Sequence, residues 1–220
     1  MTSPKSTRTT VRRGAKRAHY DRDQVHGILR DGLVAHVAIN TPEGPLVLPM
    51  AYGVNEETIY LHGAAANALL KAGAENEVCA TVTIVDGLVF AKTAFNHSMN
   101  YRSVVIRGKA RTVTDPAEIN VALEAMTNQV VETWSSTRPP SSSEIRATRV
   151  VALPIDEASA KIRTGAAVNS TEDVNESYWS GVVPIDTTFG QPVWNDDAGA
   201  PVPRSIKAVV GKPVHERHEN

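Results

Sequence analysis

The chain has 220 residues, of which 41% are hydrophobic and 21% charged, a composition typical of a soluble globular protein with a buried core. Its formal net charge of −1 argues against nucleic-acid binding through bulk electrostatics, and no apolar run is long enough to span a membrane. The single cysteine, Cys79, cannot form an intramolecular disulfide, and its apolar neighbours predict a buried, reduced thiol in a cytoplasmic protein.

The first third of the chain predicts a tail, a helix and three strands. Residues 1–19 are basic and rich in Ser and Thr, without the apolar core of a secretory signal, and we expect a disordered tail. A helix is expected over Asp21–Asp31, with a capping box between Asp21 and Gln24. The runs LVAHVAIN, LVLPMAYGV and TIYLH predict an antiparallel meander, and its second strand lies at an edge or contains a bulge, because Pro49 lacks an amide donor.

The rest of the chain predicts more strands with helices between them. GAAANALLKAG indicates a short helix, and EVCATVTIVDGLVF and SVVIRGKARTV indicate long strands. Asp115 begins the clearest helix, with Glu118 closing a capping box, and RPPSSSE is expected to be a loop before the strands TRVVALPI and SAKIRTG. The sequence thus predicts a small antiparallel β-barrel of six or seven strands over residues 20–165, with peripheral helices. Residues 166–220, the C-terminal segment, are expected to be extended and packed on the barrel or on a dimer partner.

One stretch with candidate ligand-binding groups is YLHGAAANALLKAG. A strand ends there at His62 and Gly63, and the lack of a side chain at Gly63 permits close approach of a ligand to the backbone. The start of the helix that follows suits an anion such as a phosphate, and Lys71 lies further along that helix. Lys71 also has a simpler interpretation, as a solvated charge near the helix C-terminus.

The second stretch is HSMNYRSV, at the beginning of a strand. Ser98, Asn100 and Tyr101 offer hydrogen bonds, and the guanidinium of Arg102 presents a planar fork that suits phosphate or carboxylate. A turn whose polar groups satisfy one another is the alternative interpretation. No residue stands out as a general acid or base, so the catalytic residues are unknown, and we predict no dedicated metal site. Three histidines near strands leave a haem or metal site open as an alternative: His36, His62 and His97.

The block HSMNYRSVVIRGKA, together with LVLPMAYGVNEETIYLHGAAANALLKAG and SAKIRTGAAVN, resembles the pyridoxamine 5′-phosphate oxidase-related, FMN-binding split-barrel proteins. The similarity is to the branch that includes nitroimidazole-resistance-type proteins, and it runs from about Tyr20 to Val183. The resemblance implies a six-stranded antiparallel split β-barrel that forms a homodimer with flavin sites at the interface.

The resemblance also implies roles for particular residues. The flavin ring is expected along Pro49, Met50, Ala51 and Tyr52, with the phosphate near His62 and Gly63. Further cofactor-binding candidates are Lys71, Ser98, Asn100, Tyr101, Arg102 and Trp179, the last as part of a lid. The phosphate partner stays open among four basic residues: Lys71, Arg102, Lys161 and Arg163.

The function expected from the resemblance is that of an FMN-dependent oxidoreductase. It would transfer a hydride or electrons through the flavin to an unidentified small molecule, with NAD(P)H as a possible reductant. The alternatives are a flavin- or haem-binding protein without turnover, a member that uses the deazaflavin F420, and a cofactor-free biosynthetic member. Likeness of fold alone does not choose between them.

Overall fold

A computed structural model describes residues 3–73, 76–173, 175–194 and 199–218. Its strands are β1 (Ala18–His19), β2 (Ala35–Thr41), β3 (Gly44–Met50), β4 (Tyr52–Asn55), β5 (Thr58–Ala64), β6 (Glu77–Phe90), β7 (Ser98–Lys109), β8 (Arg111–Thr112), β9 (Thr148–Pro154), β10 (Glu157–Arg163) and β11 (Gly181–Pro184). The α-helices are α1 (Arg22–Asp31), α2 (Ala68–Gly73), α3 (Pro116–Asn128), α4 (Ser142–Ala147) and α5 (Arg204–Val209).

The strands form two antiparallel sheets. The large sheet has the order β1-β10-β7-β6-β2-β3, and β11 pairs with β6 beside this path. The small sheet has the order β4-β5-β9-β8. Buried apolar side chains from both sheets and from α1 form the main core, and a second cluster lies between the small sheet and α3. The predicted fold class is therefore confirmed: mainly antiparallel β with peripheral helices.

The run LVLPMAYGV is where the prediction of a single strand is wrong. The chain leaves the large sheet at Met50, opposite Ala35, and enters the small sheet at Tyr52, opposite Leu61. Ala51 lies exposed between the two ladders. The expected edge position of Pro49 is confirmed, because β3 is the terminal strand of the large sheet. The meander is thus divided between two sheets, which is what separates them around the core.

Helix α1 forms where its sequence predicts it, with only the Asp21 half of the expected capping box among the hydrogen bonds of the described residues. Asp21 caps it by accepting a hydrogen bond from the amide of Gln24, and the helix ends at Gly32. The carbonyl groups at its C-terminal end are satisfied by side chains that are remote in sequence. The Tyr52 hydroxyl donates to the Leu29 carbonyl, and Gln129 Nε2 donates to the carbonyls of Leu29 and Gly32 at 2.8 and 3.1 Å. These contacts attach α1 to the small sheet and to the end of α3.

Helix α3 packs directly on the small sheet at Gly53. A Cβ atom placed on Gly53 would lie 2.3 Å from the amide nitrogen of Met126, so only glycine fits under the helix backbone. Asp115 caps this helix as predicted, but the expected capping box with Glu118 is wrong. The Glu118 carboxylate accepts hydrogen bonds from Arg111 and Tyr60 instead, and these bonds tie α3 to strands of the small sheet.

Three further expectations differ from the structure. RPPSSSE is not all loop, because Ser141 and Glu144 form a capping box that begins α4. Cys79 is half-buried, because its side chain lies on the face of β6 opposite the core. Residues 3–19 were expected to be a disordered tail, yet they follow the edge of the large sheet, where Arg8 pairs with Glu77 and Glu157 at 2.7 and 2.8 Å. These two carboxylates give the basic tail a place to bind.

The C-terminal segment is mostly extended and lies against the sheets, with β11 and α5 as its regular elements. Positions 174, 195–198, 219 and 220 lie outside the described residues. The segment is fastened by Arg217, which is 7% exposed. Its guanidinium donates to the carbonyls of Gln129, Asp31, Arg30 and Gly32, so it completes the capping of α1. Within the described residues, no helix is both long enough and apolar enough to cross a membrane.

Candidate functional site

Arg102 is the basic residue that the sequence marks most strongly, and its guanidinium already has two partners. Nη2 lies 2.9 Å from Asp86 Oδ1, and Nη1 contacts the Asp31 carboxylate. Asp86 stands at a bulge of β6, where the register shifts between Val85 and Gly87. Burial lowers the pKa of Arg102, but the hydrogen bonds that its guanidinium donates to Asp86 and Asp31 outweigh this effect, and the pKa is raised. In this conformation the guanidinium of Arg102 is engaged by Asp86 and Asp31, and the expectation that Arg102 holds a phosphate stays a prediction.

A cavity of about 420 Å³ adjoins this ion-paired group. It lies between the end of α1, the large sheet and the C-terminal segment. Part of its wall is apolar, from Leu33, Val34, Ile84, Val85 and Ile185. Two imidazoles also line it: His36 from β2 and His215 from the 3₁₀ turn Val214–Glu216. The sequence marked His36 as a haem or metal candidate, but it did not mark His215.

A second candidate region is the corner between β5 and α2. A Cβ atom on Gly63 would lie 3.0 Å from Leu70 Cδ1 and 3.1 Å from Asn67 Nδ2, so glycine here permits close packing of α2. Lys71 is exposed on α2. Arg149 is opposite Gly63 in the β5–β9 ladder, and its Nε donates to the Ala65 carbonyl at 3.3 Å. The sequence interpretation missed Arg149, because only strand pairing brings it to this corner.

His62 lies at the same corner but on the other face of β5. Its Nδ1 is 3.1 Å from Met126 Sδ, so the ring faces α3 and not Gly63 and Arg149. The side chain of Tyr52 is not accessible to a ligand, because it is 1% exposed and lies in the core. Burial raises its pKa.

The third candidate region is the beginning of β7. Asn100 is bound to Arg163, whose buried guanidinium also donates to the carbonyls of Gly165 and Ala166. Arg163 is thereby engaged within the chain, and the expectation of an anion site there stays a prediction. Ser98 is exposed and Tyr101 half-buried.

Trp179 lies at the same end of the large sheet. Its ring centroid is 5.8 Å from that of Phe90, while 65% of its surface is exposed. Phe90 contacts His97 edge-on, and His97 Nε2 lies 3.1 Å from the Ala91 carbonyl. The three rings form a small aromatic group on β6 and its neighbours.

One chain does not bring all these groups together. Helix α2 packs near Val78, at the start of β6, where a Cβ atom on Gly73 would lie 3.5 Å from the Val78 side chain. Arg102 lies opposite Ile84 on the same strand. Six residues of strand separate the two positions, which corresponds to about 20 Å. The corner between β5 and α2 and the beginning of β7 are therefore two separate regions of one chain.

The sequence profile of the pyridoxamine 5′-phosphate oxidase family matches residues 21–162, more than half of the chain. The chain belongs to the pyridoxamine 5′-phosphate oxidase family. The family expected from the sequence is thus confirmed. No curated protein matches the chain at a significant level.

Solved structures of the pyridoxamine 5′-phosphate oxidase fold include close matches to nearly the whole chain. The flavocytochrome Anf3 from Azotobacter vinelandii is 34% identical over 95% of this chain and 99% of its own, with a TM-score of 0.86. The FAD and haem binding protein from Mycobacterium smegmatis is 29% identical over 90% of this chain and 98% of its own, with a TM-score of 0.85. A protein described as a 5-nitroimidazole antibiotic resistance protein, from Bacteroides thetaiotaomicron, is 25% identical over 66% of this chain and 86% of its own, with a TM-score of 0.55.

The three structures match different shares of this chain, and the difference concerns the C-terminal segment. The nitroimidazole-resistance match covers about as much of the chain as the family profile does. A match to 95% of 220 residues leaves out only about 11, and a match to 90% about 22. Most of the 58 residues after position 162 are therefore included in those two matches. Most of the C-terminal segment is thus shared with these two structures.

Proposed function

We propose that this protein is a redox protein that binds a flavin nucleotide and a haem group and exchanges electrons with a small molecule. The observation that carries the proposal is the cavity between the large sheet and the C-terminal segment, which is lined by histidine and apolar side chains. Both structures that share this segment are named for such cofactors, one as a flavocytochrome and the other as an FAD and haem binding protein. When bound, flavin and haem supply the electron-transfer chemistry, and the protein supplies position and environment.

The flavin part of the proposal rests on the fold and on the corner between β5 and α2. Arg149 is half-exposed there, and of its five donors only Nε has a hydrogen bond among the described residues. Arg102 and Arg163 are engaged by partners of the chain itself. We therefore assign the flavin phosphate to Arg149, and the exposed Lys71 of α2 supplies a second positive charge in this region. The sequence favours FMN, but the name of the mycobacterial neighbour favours FAD, and we propose FAD.

The flavin sites are proposed to lie in a homodimer. Ala51, the β5–α2 corner and the beginning of β7 are separate in one chain, and a second copy offers the same groups on its own surface. Exposed apolar side chains support this arrangement, since Val47 is 53% exposed on the terminal strand of the large sheet. Light scattering of the flavin-loaded protein tests it. A monomer that retains flavin after dilution would contradict the dimer, while leaving flavin binding intact.

The first experiment is an absorption spectrum of the protein purified from cells supplied with haem precursor. We expect flavin bands and a Soret band that both survive desalting, and release of FAD on denaturation. Flavin bands without a Soret band would reject haem and leave a flavoprotein. A colourless protein that retains neither added flavin nor added haem would reject the whole proposal.

A second experiment separates an enzyme from a carrier. Addition of NADPH or NADH under anaerobic conditions is expected to bleach the flavin bands, and a small-molecule acceptor is expected to restore them over repeated cycles. A bound flavin that neither reductant bleaches would favour a protein that binds cofactors without turnover.

A further inference from the structure

We propose that the haem lies in the cavity between the large sheet and the C-terminal segment, with His36 and His215 as the axial ligands of its iron. The proposal rests on the haem part of the proposed function and adds the site and the ligands. Imidazole nitrogen is a common axial ligand of haem iron, and an apolar wall suits the porphyrin ring. The cavity combines these two features.

The two histidines come from separate parts of the fold. His36 lies on the exposed face of β2, opposite Pro49 on one side and Thr81 on the other. His215 lies in the C-terminal segment, two residues before the buried guanidinium of Arg217. Since Arg217 is fastened to the end of α1, it holds this turn of the segment against the large sheet. The ligand pair is therefore held by the fold and not by one mobile loop.

The other histidines fit an axial role less well. His62 faces α3 and approaches Met126 Sδ. His97 is engaged with the Ala91 carbonyl and the Phe90 ring. His26 lies 3.2 Å from the Glu57 carboxylate in a different groove, which His218 also lines. His19 belongs to β1, at the far side of the large sheet.

The charges around the cavity bear on where the propionates of a haem could lie. Asp31 and Asp86 share one guanidinium, that of Arg102, and Asp186 also lines the cavity. A haem propionate is repelled by these carboxylates, so we assign neither propionate to Arg102. Glu216 Oε1 lies 3.7 Å from His215 Nε2, which is longer than a hydrogen bond, so this contact does not occupy that ring nitrogen.

The test uses the full-length protein loaded with haem, in single variants His36→Ala and His215→Ala and the double variant. The wild type is expected to show a low-spin ferric spectrum by optical absorption and electron paramagnetic resonance. Each single variant should become high-spin, because one axial ligand is lost. The double variant should lose haem affinity by about tenfold or more, since outer-shell changes alone have effects of this size.

Matched controls and a rescue make the result specific. His97→Ala and His19→Ala should leave the spectrum unchanged, and free imidazole should restore the low-spin spectrum of each single variant. Equal flavin content and melting temperature would exclude misfolding as the cause. A high-spin wild type, or low-spin spectra in both single variants, would overturn the ligand pair, as would loss of haem in His62→Ala alone. A wild type with no Soret band would instead overturn the haem part of the proposed function.

Discussion

Two arginine environments in this molecule differ in how their charge is satisfied. Arg102 and Arg217 are enclosed, one between two carboxylates and the other among backbone carbonyls. Arg149 lies at an open corner with a single carbonyl contact among the described residues. A guanidinium whose three nitrogens all bind groups of the chain holds the fold together, and one with unused nitrogens can bind a ligand. A sequence motif that is rich in polar residues does not show which of these two kinds of arginine it contains.

The largest effect is expected from Arg217→Met. The substitution removes the Arg217 donors from the carbonyls of Asp31 and Gln129 and leaves Gln129 Nε2 to share those of Arg30 and Gly32, so we expect the free energy of unfolding to fall by about 3 kcal/mol. The C-terminal segment should also become accessible to protease at lower concentrations. Denaturant unfolding measures the first effect and limited proteolysis the second. Arg204→Met, on exposed α5, is the control, and equal losses in both variants would contradict the role of Arg217.

A smaller loss is expected from Arg102→Met. Asp31 and Asp86 would then face each other without a cation, and since these groups are 21–30% exposed we expect about 2 kcal/mol, less than for a fully buried pair. Adding Asp86→Asn should recover part of this loss, because one of the two unpaired carboxylates is removed. Arg107→Met, on the exposed face of the same strand, is the control. No recovery in the double variant would mean that packing, and not charge, decides the effect.

For Arg149 we expect a substitution to change flavin binding and not the stability of the fold. Arg149→Ala should alter the free energy of unfolding by less than about 0.5 kcal/mol, because its side chain makes one hydrogen bond. It should weaken FMN and FAD binding by about tenfold, as expected for loss of a charge-assisted bond to phosphate. Riboflavin lacks the phosphate, so its affinity should not change. Arg146→Ala on α4 is the control, and equal losses for riboflavin and FMN would contradict the phosphate role.

The smallest effect is expected from an exposed arginine, Arg8. Its hydrogen bonds to Glu157 lower the pKa of that carboxyl from 4.5 to about 2. A depressed pKa in the folded state stabilises the protein above the unfolded value of 4.5, and this contribution is lost as the pH falls toward about 2. The melting temperatures of the wild type and Arg8→Ala should therefore converge as the pH is lowered from 4.5 to about 2. A difference in melting temperature that stays constant down to a pH of about 2 would contradict a stabilising ion pair between Arg8 and Glu157.

The sequence allowed the family, the fold class and most elements to be predicted, because caps and alternation are local patterns. Asp21 and Asp115 begin helices as expected, and the polar and apolar faces of β7 follow its alternation. The capping box of Ser141 and Glu144 was visible in RPPSSSE, so α4 could have been predicted.

The candidate site was less predictable, because its contacts join distant residues. Arg102 meets Asp31 across 71 positions, and Arg149 reaches Ala65 across 84. Nothing near either arginine in the sequence indicates these partners. The division of LVLPMAYGV between two sheets has the same cause, since the alternation of side chains does not specify which strand will pair.

The carbonyl contacts of Arg217 with α1 span 185–187 residues, almost the whole chain. Closing so long a loop carries a large entropic cost unless the intervening strands have already paired. We therefore expect this contact to be among the last to form during folding. By the same reasoning it opens before the sheets do, in a local unfolding event that hydrogen exchange detects at the amides of residues 214–217. Any cofactor held beneath the C-terminal segment would then enter and leave through this slow opening, without unfolding of the sheets.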